Sequence, residues 1–171
     1  MLIVFSGLPG SGKTTIAREL AAKLSATYLR IDAIEQAIRD SRVLADQVGA
    51  AGYVVAAALA ESNLVLGMTV VADCVNPVAA SRAGWRAAAG RANVALFDIE
   101  VVCSDPVEHR RRVETRVSDV AGLIPPTWQS IGQHEYEPWQ TKRLVVDTAR
   151  LSADKSLELI HRYLATSEPT C

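Results

Sequence analysis

One segment near the start of this 171-residue chain combines glycine, lysine and threonine at a spacing that suits phosphate chemistry. Gly7-Leu8-Pro9-Gly10-Ser11-Gly12-Lys13-Thr14 has the pattern G-x-x-x-x-G-K-[ST]. Glycines leave room for backbone N–H groups to surround a phosphate. The lysine reaches the β- and γ-phosphates, and the threonine hydroxyl is a ligand for Mg²⁺. The segment therefore predicts a site for a nucleoside triphosphate.

The residues on either side predict the strand and the helix that such a loop requires. Leu2-Ile3-Val4-Phe5 is an unbroken apolar run, typical of a parallel strand buried on both faces. Ile16, Leu20 and Leu24 recur at i, i+4 and i+8, on one face of a helix. The predicted nucleotide-binding residues are Gly7, Leu8, Pro9, Gly10, Ser11, Gly12, Lys13, Thr14 and Thr15, with Lys13 also catalytic and Thr14 also a metal ligand.

Further apolar segments alternate with predicted helices along the rest of the chain. These segments are Thr27 to Ile31, Thr69 to Ala72, Leu96 to Cys103 and Leu144 to Val146. Together with the first strand they predict an α/β fold, a doubly wound five-stranded parallel sheet. We expect one domain over residues 1–171.

Aspartates follow two of the predicted strands, at the sheet edge where α/β proteins bind ligands. Asp32 forms a D-x-x-E pattern with Glu35, which predicts a helix N-cap. A catalytic carboxylate at the same position is the alternative, and the two interpretations are compatible. Asp73 ends an apolar strand, which favours a role in holding Mg²⁺ through water. Asn76 and Pro77 have the residue types of the N-cap and first residue of the next helix.

The densest charge in the chain is a run of four arginines between positions 110 and 116. On a helix Arg112 and Arg116 would share one face, at i and i+4. The run is either a solvated surface or part of a lid whose cations close over a phosphate. Residues 117–139 have no clean period, so we predict a lid or substrate-facing region over residues 110–139. His134 is expected at the surface rather than as a base.

Composition and charge limit the classes of partner. The chain is 49% hydrophobic and 22% charged, with a formal net charge of −1, which gives no global attraction to nucleic acid or to an anionic membrane. The longest apolar run, Tyr53 to Ala60, is far shorter than the ~20 residues that span a bilayer. Cys74, Cys103 and Cys171 have no paired or metal-like spacing, which indicates free thiols. The first predicted strand begins at Leu2, so we expect no signal peptide and a cytoplasmic location.

Three segments resemble small P-loop kinases of the group that contains gluconate, shikimate, adenylylsulfate and chloramphenicol kinases. They are Gly7 to Thr15, Leu29 to Asp32, and Val71 to Pro77 with Ser81-Arg82 downstream. Locally they are similar to the kinase domain of polynucleotide kinase and its bacterial AAA-family ATPase relatives. The resemblance spans Leu2 to Thr148. It implies a P-loop NTPase, nucleoside-kinase-like fold with a lid and the strand order 2-3-1-4-5.

The resemblance also implies roles for individual residues. Asp32 would act as base on the acceptor hydroxyl, Asn76 and Arg82 would bind substrate, and Arg112 and Arg116 would stabilise the transferring phosphoryl group. The expected activity is transfer of the γ-phosphate of MgATP to a hydroxyl, with a small molecule as acceptor. The alternatives are a polynucleotide 5′-hydroxyl kinase and a nucleotide-binding regulatory ATPase.

A GTP-dependent switch is the other nucleotide-binding class that the sequence allows us to test. Such a protein would carry N-K-x-D for guanine, and no such tetrapeptide occurs. Asp119 to Gly122 matches D-x-x-G in letters but falls in the predicted lid, not after a strand. We therefore favour the phosphotransferase.

Overall fold

The computed structural model describes residues 1–43, 48–133 and 135–166. The strands are β1 Leu2–Ser6, β2 Thr27–Arg30, β3 Val70–Asp73, β4 Leu96–Val102 and β5 Leu144–Asp147. The helices are α1 Lys13–Lys23, α2 Ile31–Asp40, α3 Ala51–Val65, α4 Ala79–Arg91, α5 Pro106–Thr115, α6 Trp128–Gly132 and α7 Ala153–Thr166. His134 and Cys171, for which the sequence predicts a surface position and a free thiol, lie outside the described residues.

The strands pair in parallel in a five-stranded sheet of order β2-β3-β1-β4-β5. This confirms the predicted sheet and its strand order. β1 lies at the centre, and all of its positions are buried, which explains its unbroken apolar sequence. Because the strands run in parallel, their carboxyl ends meet at one edge. The phosphate-binding loop follows β1 at that edge.

Two hydrophobic cores cover the two faces of the sheet. On one face α3 and α4 pack through residues such as Ala56, Leu64 and Trp85. On the other face α1 and α7 pack through residues such as Leu20 and Ile160. The predicted helix face of Ile16 and Leu20 is therefore correct. None of the described helices is both long enough and apolar enough to cross a membrane.

The predicted N-cap role of Asp32 is wrong. α2 begins one residue earlier, at Ile31, and its N-cap is Arg30 in an extended conformation. The Asp32 carboxylate makes no capping hydrogen bond to α2. It is instead ion-paired with Arg30 at 3.5 Å and with Arg116 at 3.8 Å. Ion pairs with Arg30, the N-cap residue itself, and with the distant Arg116 thus engage the carboxylate in place of the helix amides.

The predicted cap formed by Asn76 and Pro77 is also wrong. α4 begins at Ala79 with Val78 as its N-cap. Asn76 has a left-handed backbone with φ of 51°. The Glu137 carboxylate accepts the Ala79 amide hydrogen bond, so a residue from far along the chain caps this helix.

α5 begins with a typical N-cap, but it ends before Arg116, so the predicted shared helical face of Arg112 and Arg116 is wrong. The Asp105 carboxylate accepts hydrogen bonds from the amides of Val107 and Glu108, as expected of an N-cap. The helix ends at Thr115, and Arg116 follows it in an extended conformation with ψ of 128°. Only Arg112 therefore belongs to the helix, and Arg116 lies in the segment that follows it.

Candidate active site

The phosphate-binding loop takes its shape from glycine conformations and from close packing against α5. Gly10 has φ of 82°, a left-handed conformation that favours glycine. A Cβ atom at Gly10 would collide with Val113 and lie 3.2 Å from His109, both on α5. Gly12, the last glycine of the loop, also has a left-handed conformation, with φ of 91°, and is the N-cap of α1.

Two side chains hold the carbonyl oxygens of the loop. His109 is buried, and its Nε2 donates a hydrogen bond to the Pro9 carbonyl oxygen at 2.8 Å. The Thr148 hydroxyl, just after β5, donates to the Ser11 carbonyl oxygen at 2.7 Å. These two hydrogen bonds fix the Pro9 and Ser11 carbonyl groups against α5 and the residue after β5.

The amides at the start of α1 are free to bind an anion. In the described ranges, the N–H groups of Gly12, Lys13 and Thr14 donate to no carbonyl or side-chain acceptor. They lie at the N-terminus of an 11-residue helix, where the helix dipole favours negative charge. Free amides at a helix N-terminus are a binding site for phosphate.

A cleft of about 690 Å³ opens beside these amides, and we call it the large cleft. It is lined by Gly10, Gly12, Lys13, Thr14, Thr15, Arg18, Glu19, Ala22, Arg112, Arg116, Val117 and Asp119. Both predicted lid arginines and most of the predicted nucleotide contacts therefore face one space. Of the remaining loop residues, Pro9 lines a neighbouring pocket, while Gly7, Leu8 and Ser11 line neither.

The neighbouring pocket, of about 260 Å³, is called the small pocket below. It is lined by Pro9, Lys13, Asp32, Glu35, Val75, Arg116, Ser118, Leu123, Ile124, Pro125 and Pro126. Lys13 and Arg116 line both cavities, so the two spaces meet at these cations. Asp32 faces the small pocket only.

Lys13 is buried and has no anionic partner among the residues that the structure describes. The residue is only 5% exposed. In residues 1–43, 48–133 and 135–166 it forms no hydrogen bond or ion pair. A buried ammonium without a partner is costly, and a bound phosphate would supply the missing negative charge.

Arg112 is held rigidly at the wall of the large cleft. Its Nε donates to Glu108 at 2.7 Å, and one terminal nitrogen donates to the Thr148 hydroxyl at 2.8 Å. Hydrogen bonds from Arg111 and Arg112 lower the pKa of Glu108 to about 2. Arg110 and Arg111 form exposed ion pairs with Glu114 and Glu108. The arginine run is thus partly solvated surface and partly cleft wall.

Ion pairs join the segment after α5 to α1 and β2. Asp119 accepts hydrogen bonds from Arg30 at 2.7 Å and from Arg18 at 2.9 Å. The hydrogen bond from Arg30 lowers the pKa of Asp119, and burial of the carboxylate opposes this shift. Asp119 lies after α5 and not after a strand, and its carboxylate is engaged in ion pairs. This placement agrees with the interpretation that its D-x-x-G pattern is not a GTPase motif.

The residues predicted to hold Mg²⁺ fit such an ion by their chemistry. Asp73 is 2% exposed, and one of its carboxylate oxygens accepts a hydrogen bond from the Tyr28 hydroxyl at 2.8 Å. Its other oxygen, Oδ1, has no hydrogen-bond partner among the described residues. Oxygen ligands suit Mg²⁺. Thr14 lines the large cleft, whereas Asp73 lines neither the large cleft nor the small pocket. No group of three or more acidic, histidine or cysteine ligands occurs in the described part of the chain.

The structure does not bring Asn76 to either cavity. Asn76 is fully buried, and its side-chain amide donates to the Ser6 hydroxyl at 3.0 Å. Its backbone amide donates to the Tyr53 hydroxyl at 2.8 Å. These contacts place Asn76 in the connection between β3 and α4, where it lines neither the large cleft nor the small pocket.

Arg82 also lies away from both cavities and fastens a distant part of the chain to α4. Its guanidinium donates to the carbonyl oxygens of Asn76, Pro77, Glu137 and Pro138. It stacks over the Trp139 ring, 4.2 Å from the centroid. Such contacts use the donors that a substrate would need.

Sequence reasoning missed His109 and Thr148 as site residues. Thr148 follows β5 at the carboxyl edge of the sheet, a position that could have singled it out. His109 lies three residues before Arg112 on α5, which is a weak signal. Both act on backbone carbonyl oxygens of the loop, and no sequence motif records such a contact.

A family profile identifies the protein family to which this chain belongs. A profile of the family described as AAA domain matches residues 2–122. The chain belongs to the AAA domain family. In this AAA domain the matched part covers the phosphate-binding loop, Asp32, Asp73 and both lid arginines. No protein of curated function matches the chain.

Solved structures share the fold of this AAA domain over nearly its whole length. A protein from Chloroflexus aurantiacus j-10-fl is 21% identical, with 98% of this chain and 97% of that chain covered and a TM-score of 0.76. Kti12 from Chaetomium thermophilum, in complex with ADP-AlF3, is 22% identical, with coverages of 98% and 100% and a TM-score of 0.70. The Mycobacterium tuberculosis APS kinase CysC, with AMPPNP and APS, is 18% identical, with coverages of 96% and 97% and a TM-score of 0.70. The fold is that of the P-loop kinases, as the sequence resemblance implies.

Proposed function

We propose that this AAA domain transfers the γ-phosphoryl group of ATP to a hydroxyl of a small molecule. The observation that carries the proposal is that Lys13 and Arg116 line both the large cleft and the small pocket. A nucleotide with its phosphates on the free amides of α1 would therefore present its γ-phosphate at the junction with the small pocket. The acceptor would occupy the small pocket, beside Asp32.

The residues at the junction suit phosphoryl transfer. The acceptor oxygen attacks the γ-phosphorus, the bond to the β,γ-bridging oxygen breaks, and ADP leaves with that electron pair. The hydroxyl proton passes to the Asp32 carboxylate, a general base in the small pocket. Lys13, Arg112 and Arg116 neutralise the charge that is spread over the phosphoryl oxygens.

Thr14 and Asp73 are the residues that would hold a Mg²⁺ ion assisting the transfer. When bound, this ion neutralises charge on the β- and γ-phosphate oxygens. The Thr14 hydroxyl would ligate it, and the unpartnered Asp73 oxygen would hold it through water.

Residues 116–126 are the part of the predicted lid region that we propose to close over the junction. They contribute Arg116, Val117 and Asp119 to the large cleft and Pro125 and Pro126 to the small pocket. Closure of such a segment excludes water from the transferring group.

A screen for ADP formation tests the proposal. Wild-type protein with MgATP is assayed against small hydroxyl compounds and against oligonucleotides with a 5′-hydroxyl, and the product is identified by mass. Lys13→Ala should abolish turnover because it removes the buried cation expected to bind the β- and γ-phosphates, while its circular dichroism spectrum stays that of the wild type. Lys155→Ala, which removes an exposed lysine of α7, is the control and should keep full activity. Equal activity of Lys13→Ala and wild type would refute the proposal.

A further inference from the structure

The side chains that line the small pocket indicate which charge the acceptor carries. Its acidic residues are Asp32 and Glu35, and its cations are Lys13 and Arg116. Both cations also line the large cleft, where the phosphates of a bound nucleotide would neutralise them. With nucleotide bound, the cations that remain beside the two carboxylates are Arg30, 3.5 Å from Asp32, and Arg39, 3.4 Å from Glu35, and neither of them lines the small pocket.

Glu35 is held in place by tight packing between α2 and α3. A Cβ atom at Gly52 of α3 would collide with the Glu35 side chain, so only glycine leaves room for it there. Burial raises the pKa of the Glu35 carboxyl, Arg39 opposes this shift, and the nearby charge of Asp32 adds to it. The packing costs the glutamate part of its hydration, which a cation in the pocket would replace.

The cations that pair with Glu35 and Asp32 from within α2 and β2 lie outside the lining of the small pocket. Arg39 is 3.4 Å from Glu35 across one helical turn, with a side chain that is 46% exposed, and it does not line the small pocket. Arg30 is ion-paired with Asp32 and Asp119 and also lies outside the lining. A negatively charged acceptor would compete with the nucleotide phosphates for Lys13 and Arg116 and would face both carboxylates.

The junction at Lys13 indicates that the small pocket opens onto a ligand-binding space. Lys13, only 5% exposed, lines both cavities and forms no hydrogen bond or ion pair within the described part of the chain. The small pocket also has an apolar part of its lining, which includes Leu123, Ile124 and Pro125. Ile124 is 88% exposed, which leaves a hydrophobic surface for the ligand to cover.

We propose that the acceptor is a small amino alcohol with an apolar substituent, whose protonated amine is bound by Glu35 and whose hydroxyl lies beside Asp32. This inference rests on the proposed phosphotransferase function and adds the substrate class. The amine forms a charge-assisted hydrogen bond to the Glu35 carboxylate. The apolar substituent packs on the wall formed by Leu123 and Ile124. Anionic hydroxy acids and 5′-phosphorylated chains are excluded as acceptors by the same charges.

Matched probes test the charge preference by binding alone. 2-Amino-2-phenylethanol, 1-phenyl-1,2-ethanediol and tropate share a phenyl group and a primary hydroxyl but carry an ammonium, a hydroxyl and a carboxylate at the adjacent carbon. A second set replaces phenyl with isobutyl. Dissociation constants are measured by calorimetry with a non-hydrolysable ATP analogue bound. The amine of at least one set should bind tightest, and the carboxylate should bind weakest.

Variants connect the preference to Glu35. Glu35→Gln keeps the size of the side chain and should weaken amine binding by about tenfold or more, because a charged partner is lost. Binding of the diols should change by less than about twofold. Glu35→Asp should restore part of the amine affinity. Glu158→Gln, an exposed glutamate of α7, controls for the change in net charge. Melting temperatures confirm that each variant is folded.

The outcomes separate this inference from the proposed function. Tighter binding of the carboxylates, amine binding that Glu35→Gln leaves unchanged, or no amine binding in either set would overturn the inference. Transfer of phosphate from ATP to a diol or hydroxy acid would still support the phosphotransferase. Glu35-dependent amine binding without any phosphorylated product would uphold the charge preference and count against the phosphotransferase.

Discussion

The Nε2 atom of His109 lies 2.8 Å from the carbonyl oxygen of Pro9, in the middle of the phosphate-binding loop. The same imidazole packs edge-on against Trp128, with ring centroids 5.3 Å apart. α6, which carries Trp128, follows the prolines that line the small pocket. His109 therefore connects the loop that we expect to bind ATP with the segment that we expect to contact the acceptor.

Replacement of His109 by phenylalanine should weaken nucleotide binding without unfolding the protein. Phenylalanine keeps the ring contact with Trp128 and removes the hydrogen bond to Pro9, a loss of about 1 kcal/mol or five- to tenfold in affinity. Calorimetric titration with ATP measures the change. His161→Phe, at an exposed position of α7, is the control. An unchanged dissociation constant for ATP in His109→Phe would show that the loop keeps its shape without this contact.

Arg112 and Arg116 should affect the rate of transfer, whereas Arg110 should not. Arg112 and Arg116 line the large cleft, while Arg110 is exposed on α5 and paired with Glu114. An arginine at the transferring phosphoryl group contributes roughly 10³-fold or more to kcat. The double variant Arg112→Ala/Arg116→Ala is expected to lose about this much kcat in the ADP-release assay. Arg110→Ala is the matched control. Equal kcat values for both variants would mean that Arg112 and Arg116 do not contribute to transfer and are solvated surface residues like Arg110.

Asp98 should make the stability of the protein depend on pH. It is 7% exposed in β4, and its nearest cation, Arg86, is 4.0 Å away. Burial raises the pKa of this carboxyl from 3.8 to about 6 in the folded protein, and Arg86 opposes the shift. Between these two values the folded state binds more protons than the unfolded state, so the free energy of unfolding falls as the pH rises.

The variant Asp98→Asn isolates this effect. Above pH 6 the variant should have the higher free energy of unfolding, by roughly 1–3 kcal/mol, because the cost of a buried charge is removed. The difference should vanish below the ordinary pKa of 3.8. Urea denaturation at several pH values measures both limits. A constant difference across the whole range would mean that Asp98 does not titrate as described.

The sequence was sufficient for the elements whose causes are local. The loop residues Gly7 to Thr14 and the apolar runs of β1 and β3 predict their own conformations, because spacing and hydrophobicity act within a few residues. The resemblance to P-loop kinases added the strand order, which the structure confirms. Asp105 also caps its own helix through a contact within three residues, for which aspartate is a preferred residue type.

The errors arise where a distant residue competes with a local pattern. Arg116 attracts the carboxylate of Asp32, and Glu137 replaces Asn76 as the cap of α4. The contacts of His109 with Pro9 and of Thr148 with Ser11 join positions 100 and 137 residues apart. Tertiary contacts of this kind leave no periodicity or motif in the sequence, so the chain must fold before they can be seen.

Asp32→Asn should separate a role in proton transfer from a role in holding the fold together. The amide keeps the size of the side chain and cannot accept the hydroxyl proton, so transfer to the acceptor should slow by ~10²-fold or more. The affinity for ATP should change little, because Asp32 lines the small pocket and not the large cleft. Because Asp32 makes no capping hydrogen bond, the loss of stability should come only from its long ion pairs with Arg30 and Arg116. Asp40→Asn, at the exposed end of the same helix, is the control. Melting temperature, ATP affinity and transfer rate are measured on the same preparation. A variant that melts earlier but transfers phosphate at the wild-type rate per folded molecule would leave Asp32 with a purely structural role.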